Sequence, residues 1–432
     1  MQNDYLSYSV DAEGIATIDI NQVNEPANLF SFDFVTSYLE IAKKAVEDAS
    51  VKGVVVTSSR RMFMAGGDLR MLSQPIEDPQ AFFDGIMQMH RGFREIETSG
   101  KPFVAAINGT ALGGGMELCL TCHHRIVIDD IKIKLGFPES KVGLLPGGGG
   151  TAKAPYLLGI EKGLRYLLQG VEARPPKAIK DGLVDDLARS PEELIQKAKD
   201  WIKANPNPVQ PWDNKKHRMP GGAMWSPSGA MTMMGAVGNV SKLTHGNYPA
   251  AKYILSVVHD GLQIPIDRAL EIEARYFTKI CMAPEAKNMI RTGFLAMQKA
   301  RKGHARPKDE PTYEVKKLGI LGAGMMGAGI AYVSAKVGMD VVLKDVSIEG
   351  AEKGKAYSRK LLDKAISKKR STEEKAEALL SRIHPTEDPN SMEGCDLVIE
   401  AVFENPALKD KVTKETEAVL APDKIYGSNT ST

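Results

Sequence analysis

The sequence predicts an α/β protein of more than one domain, and three observations carry that expectation. Short apolar runs alternate with stretches of helical spacing over the first 190 residues, the same alternation restarts near residue 311, and 432 residues exceed what one ordinary core supports. Between them the strand-like runs stop. The expected order is an α/β domain over 1–190, a loop-rich and helical linker over 191–310, and a second α/β domain over 311–432.

Each element has a local reason. Leu6-Ser-Tyr-Ser-Val10 and Ile15-Ala-Thr-Ile-Asp-Ile20 flank Asp11-Ala-Glu-Gly14, which reads as a hairpin or two neighbouring strands. Helical spacing over 34–47 leads to the apolar run Gly53-Val-Val-Val-Thr57, and a second helix over 82–97 leads to Phe103-Val-Ala-Ala-Ile107. Arg125-Ile-Val-Ile128 follows a third. Residues 205–249 read as a long loop, proline-bearing and rich in Met (Met224, Met231, Met233, Met234), packed on a neighbour. Helices are expected over 250–260 and, as one long mixed-charge element, over 266–302. The second α/β domain opens with Lys317-Leu-Gly-Ile-Leu321, then a glycine cluster, a helix over 328–337 and the strand Asp340-Val-Val-Leu343. Cys395-Asp-Leu-Val-Ile-Glu-Ala401 and Lys424-Ile-Tyr-Gly427 read as two more parallel strands.

Composition narrows the function classes. Lys plus Arg is 56 against Asp plus Glu at 54, so the chain lacks the massed positive charge of a dedicated nucleic-acid binder, and any anionic ligand must be held locally. With 43% hydrophobic and 25% charged residues it is not globally disordered. Four cysteines are too few for a disulfide framework. With no basic start followed by an apolar run, a cytoplasmic setting is expected. The nearest approach to a membrane span, 102–122, is interrupted by Asn108 and glycines and reads instead as strand, turn and helix; no integral membrane segment is expected. Cys119-Leu-Thr-Cys122-His123 fits a haem-attachment pattern, but it continues a helix and no export is expected, so neither haem attachment nor disulfide redox chemistry is expected there.

Gly322-Ala323-Gly324-Met325-Met326-Gly327 is a GxGxxG between a strand and a helix, with Asp345 at the end of the next strand. Gly322 permits the tight turn, Gly324 lets backbone amides approach a pyrophosphate, and Gly327 lets helix and sheet pack closely. A helix N-terminus then faces the phosphates. Asp345 would accept bonds from the ribose hydroxyls and repel a 2′-phosphate, so NAD is expected rather than NADP. This half resembles the NAD-binding domain of 3-hydroxyacyl-CoA dehydrogenases through 321–330, Asp396-Leu-Val-Ile-Glu-Ala-Val-Phe-Glu-Asn405 and Ser428-Asn-Thr-Ser431. The resemblance implies that Glu404, Lys409 and Asn429 line the NAD site and that Ser431 touches the substrate 3-hydroxyl. It also implies an incomplete Rossmann domain, since that family's catalytic His and its Glu partner lie beyond Ser431. His384, expected in a connecting stretch at the surface, does not replace them.

The first half carries three glycine-rich turns beside strands: Phe63-Met-Ala-Gly66-Gly67-Asp68, Asn108-Gly-Thr-Ala-Leu-Gly113-Gly114-Gly-Met-Glu117, and Pro138-Glu139 running to Pro146-Gly-Gly-Gly-Gly-Thr151. Bare backbone there lets amide N–H groups reach a ligand oxygen, as an oxyanion hole requires. Two carboxylates, Glu117 and Glu139, sit in or beside those turns. The set resembles the crotonase (enoyl-CoA hydratase/isomerase) family over about residues 10–190, a spiral ββα fold. Joined to the second half, it is similar to the α-subunit family of bacterial fatty acid oxidation complexes. The resemblance implies acyl-CoA thioester substrates, oxyanion amides at Gly67 and Gly114, and an acid/base pair of Glu117 and Glu139. It further implies a separate thiolase β-subunit in a hetero-oligomer. Gly67 replaces the family's usual Ala, harmless for a backbone donor. Asn24-Glu25-Pro26 puts an acid where a base often approaches CoA, leaving the CoA phosphate contacts unassigned. An isomerase moving the double bond from position 3 to 2 would need only one of the glutamates, and a non-catalytic acyl-CoA scaffold neither.

Overall fold

A computed structural model describes residues 3–309 and 312–430. The chain forms two compact units, one ending at Ala305 and the other beginning at Arg306.

In the first unit β1 (Leu6–Val10) and β2 (Ile15–Ile20) pair antiparallel. Asp11 closes their turn by accepting the N–H groups of Glu13 and Ile15, and Gly14 takes φ +78°. Helix α1 (Phe32–Glu47) begins at Ser31, whose side chain accepts from Phe34 N–H, and buries Phe34, Tyr38, Ile41 and Ala45 along one face. After β3 (Gly53–Thr57) come α2 (Leu69–Leu72), α3 (Pro79–Glu97) and β4 (Phe103–Ile107). Then follow β5 (Ala111–Leu112), α4 (Gly114–Thr121), β6 (His124–Ile128) and β7 (Leu135–Gly136). The rest is α5 (Gly150–Leu158), α6 (Ile160–Gln169), β8 (Glu172–Ala173), α7 (Pro175–Asp181), β9 (Asp186–Ala188) and α8 (Pro191–Ala204).

The main sheet runs β1-β2-β3-β4-β6-β9, parallel from β2 onward, and β5, β7 and β8 form a small second sheet. Strands β3 and β4 are apolar almost throughout because both their faces are covered. One face packs on α1, α3 and α4. The other buries Ile15, Val55, Val104 and Ile126 against Leu194, Ala198 and Ile202 of α8.

The stretch expected as a linker differs from that expectation. Helix α8 covers the sheet, and residues up to 305 belong to the same compact unit. Residues 205–249 are not all loop: α9 (Pro227–Thr244) starts at Ser226, which caps Gly229 N–H, and buries Gly229, Met233 and Val240. Its glycines and lack of charge hid that periodicity. After α10 (Pro249–Gly261), the single helix expected over 266–302 is broken. Helix α11 (Ile266–Met282) ends where Ala283 turns extended before Pro284, and α12 (Pro284–Asn288), a π-helical stretch (Met289–Ala296) and α13 (Met297–Arg301) follow.

In the second unit β10 (Lys317–Leu321), α14 (Met325–Lys336), β11 (Asp340–Lys344), α15 (Ile348–Ser367), α16 (Glu373–Leu380) and β12 (Ile383–Thr386) are followed by β13 (Leu397–Glu400), α17 (Pro406–Glu417) and β14 (Ile425–Ser428). The sheet is wholly parallel, in the order β12-β11-β10-β13-β14, so strand order reverses between β10 and β13. His384 lies exposed on β12, not in a connecting stretch. The segment reads poorly as a strand because Pro385 interrupts it, which an edge strand tolerates.

Candidate active site

The first cleft is built from turns that only glycine can make. Gly66 takes φ +110° and Gly113 φ +53°. Phe30 and Gly67 form a parallel bridge through the Gly66 carbonyl and the Asp68 N–H, so the Gly67 N–H takes no part in it. Gly114 is the first residue of α4, where the N–H lies outside the helix's own ladder. Both glycines line one cleft with Glu117, Glu139, Phe30, Leu144 and Phe277. The four predicted residues of this half are therefore brought together.

Glu117 sits in the first turn of α4 and is 3% exposed. Its Oε1 accepts from Gly148 N–H at 2.6 Å and Gly150 N–H at 2.8 Å. Burial pushes its carboxyl up to about 7, against the opposing pull of those two amides and of buried Lys153. Glu139 opens the 3₁₀ turn Glu139–Val142 behind Pro138. Its Oε2 is buried with no hydrogen-bond partner among the described residues, and burial, then the charges of Glu117 and Glu273, hold the carboxyl well above the usual range. Two carboxyls in one apolar cleft thus differ: one is tethered by amides, the other has a free oxygen.

Sequence reasoning missed Glu273, on α11. It is fully buried, accepts from Gly149 N–H at 2.6 Å and Ala152 N–H at 2.8 Å, and is pushed up to about 8 by burial and then by the Glu117 charge. A signal was present, because Glu273 falls on the apolar stripe Ile266, Ala269, Leu270, Ala274. Behind it Lys153 and Glu97, both fully enclosed, pair at 2.5 Å, and Trp212 Nε1 donates to Glu97 at 3.0 Å. Cys119 and Cys122 are buried and free, one on α4 and one at its end.

In the second unit Gly322 takes φ +97°, and a Cβ there would stand 2.6 Å from the Ala401 carbonyl oxygen. A Cβ on Gly327 would lie 1.8 Å from the Gly322 oxygen, so α14 packs on the turn as closely as its sequence implied. A Cβ on Gly324 would meet nothing within 4 Å, which leaves open space in front of the α14 N-terminus beside exposed Met325 and Met326. That opening lies at the carboxyl ends of the strands, where order reverses, and it fits a dinucleotide phosphate. Asp345 lies just past β11 and accepts from Ala323 N–H at 2.7 Å. Lys409 pairs with Glu404 at 2.8 Å and approaches Glu400 at 3.4 Å. Asn429 N–H donates to the Glu400 carbonyl, and Ser428 Oγ to its carboxylate at 2.6 Å. Buried Glu400, not singled out from sequence, is the hub that gathers Lys409 and the strand end before Asn429. Ser431 lies outside the described residues.

Residues 11–210 match the family model of enoyl-CoA hydratase/isomerase, and residues 317–432 that of the 3-hydroxyacyl-CoA dehydrogenase NAD-binding domain. Along its whole length the chain is homologous to fatty acid oxidation complex α-subunits. It is 32% identical to the one from Psychrobacter arcticus over 434 residues, covering 100% of this chain and 60% of that protein. The Shewanella amazonensis subunit is 35% identical over 436 residues, 99% of this chain and 60% of that one. The chain therefore spans about 60% of the length of these relatives. A carnitinyl-CoA dehydratase structure from Mycobacterium thermoresistibile superposes with TM-score 0.52 at 19% identity, covering 71% of this chain and 94% of that one, and shares the crotonase fold. No helix among the described residues is long and apolar enough to cross a membrane.

Proposed function

We propose that the first unit hydrates 2-enoyl-CoA thioesters to 3-hydroxyacyl-CoA. The observation that carries this is the unequal pair Glu117 and Glu139 facing one apolar cleft lined by Gly67 and Gly114, whose N–H groups have no partner among the described residues. The thioester oxygen would accept from Gly67 and Gly114 N–H, which stabilise negative charge there and make Cβ electrophilic. Glu117, ionised near neutral pH and fixed at Oε1, has Oε2 to hold water and take its proton as the hydroxyl bonds to Cβ. Glu139, held protonated, delivers a proton to Cα. Water's two parts are thereby added, leaving Glu117 protonated and Glu139 ionised; Glu117 releases its proton and Glu139 takes one up from solvent before the next turnover.

The functional domain boundary in this reading lies near residue 305 rather than 190, because α11 supplies Phe277 and Glu273. For the second unit, Gly322, Gly324, Met325, Met326 and Gly327 would cradle the NAD pyrophosphate, with Asp345 toward the ribose and Glu404, Lys409 and Asn429 along the nicotinamide side. When bound, NAD would supply the hydride acceptor for a 3-hydroxyacyl thioester in the whole protein. A 3-ketoacyl-CoA product is what a thiolase cleaves, so a thiolase β-subunit is the partner this reading implies, in the cytoplasm. No nucleic acid is involved. The direct test is incubation of the purified chain with crotonyl-CoA. Loss of the conjugated enoyl absorbance with formation of 3-hydroxybutyryl-CoA is expected, and no hydration above a no-enzyme control would refute the reading.

A further inference from the structure

The glycine loop that tethers Glu117 is held from two sides. Four backbone N–H groups at the start of α5 alternate between two buried carboxyls: Gly148 and Gly150 donate to Glu117, Gly149 and Ala152 to Glu273. Consecutive amides can face opposite ways because Gly149 takes φ +106°. Gly149 is also the N-cap of α5 and offers no side chain, so the helix start is capped by carboxyls from α4 and α11 instead. Besides these, Thr151 Oγ1 donates to the Pro146 carbonyl at 2.9 Å and Gly147 packs on the Phe277 ring, but only the two carboxyls engage the amides of Gly148, Gly149, Gly150 and Ala152.

On the far side of Glu273, His90 Nε2 of α3 lies 3.7 Å from Oε1, and neither ring nitrogen has another partner among the described residues. Burial and nearby Lys153 push this imidazole down to about 3, so it is neutral and its free nitrogen can accept.

We propose that Glu273 is a positioning residue for hydration: by holding Gly149 and Ala152 it fixes the loop whose Gly148 and Gly150 amides aim Glu117 at the water. This rests on the hydratase reading above. Glu273 is fully buried and does not line the cleft, so its loss should lower kcat and leave binding alone. That pattern separates loop positioning from a general packing role.

The test uses Glu273→Gln, which keeps the volume but offers one of the two loop amides an NH₂ group in place of an acceptor, and Glu273→Asp, too short to reach both. With crotonyl-CoA, kcat should fall at least about tenfold in Glu273→Gln while KM stays within about twofold, as misplacement of a reacting group requires. Glu273→Asp should retain the fold and show the same split if the Gln variant does not fold. A kcat within about twofold of wild type in a folded variant, a matched rise in KM, or failure of both variants to fold would overturn the proposal. A wild-type chain without hydratase activity would instead refute the reading on which it rests.

Discussion

Gly113 and Glu139 compete for one space: a Cβ placed on Gly113 would stand 2.5 Å from Glu139 Oε1. Gly113 is the N-cap of α4 at φ +53°, ψ −127°, a conformation that L side chains avoid. The glycine turn is thus required twice, by the backbone that presents Gly114 N–H and by the carboxyl facing it. Gly113→Ala should cost on the order of 1–3 kcal/mol of stability from backbone strain. It should also depress hydration far more than that loss explains, because Glu139 must move. Comparison of thermal unfolding with crotonyl-CoA turnover checks this, and a variant of normal activity would show that Glu139 is free to shift.

The rate of hydration should depend on pH in a bell. Glu117 must be ionised and sits at about 7, while Glu139 must be protonated and is raised well above the usual carboxylate range by burial and by the Glu117 charge. Activity rises as pH climbs through the first ionisation and falls through the second. The apparent values belong to the coupled set Glu117, Glu139 and Glu273 rather than to single residues. A profile of kcat/KM against pH with no acid limb between about pH 5 and 8 would contradict the assignment of Glu117 as base.

Stability should move the other way. Glu117 and Glu273 bind their protons more tightly in the folded chain than in the unfolded one, where carboxyls titrate near about 4.3. Their contribution is fully present below that value and is lost as pH rises through about 7 and about 8. The melting temperature should therefore fall between about pH 6.5 and pH 8, level off above that, and fall less in Glu117→Gln. Carboxylates held low by ion pairs, such as Asp181 and Glu172, change stability only in acid, and buried His90, pushed down, raises stability with pH only up to its unfolded value of about 6.5, so the trend is read above that.

Asp345 has two uses in the second unit. One oxygen accepts from Ala323 inside the glycine turn, and in the proposed NAD site the carboxylate's charge would repel a 2′-phosphate. Titration should show tighter binding of NADH than NADPH, with the preference eroded in Asp345→Ala. Equal binding of both nucleotides by the unmodified chain would contradict this.

Much of this architecture is written in local patterns. The hydrophobic runs of β3, β4, β10 and β13 and the glycine turns at 113–115 and 322–327 mark their own positions, because buried parallel strands and tight turns restrict residue type strongly. What escapes is long-range. Glu273 reaches Gly149 across 124 residues, and no local pattern says which loop a lone acid on an apolar stripe will meet. Helix α9 escapes for another reason, since glycine and methionine at its buried and exposed positions carry almost no amphipathic contrast. Glu400 was passed over because it ends a strand whose apolar neighbours dominate the pattern.

The measurement closest to the central claim is hydration of crotonyl-CoA by Glu117→Gln and Glu139→Gln. Each substitution preserves shape but removes one proton-transfer group from the cleft, so each should lower kcat by at least about a hundredfold while the circular dichroism spectrum is unchanged. If either folded variant hydrates at near the wild-type rate, the two glutamates are not the acid and base of this site.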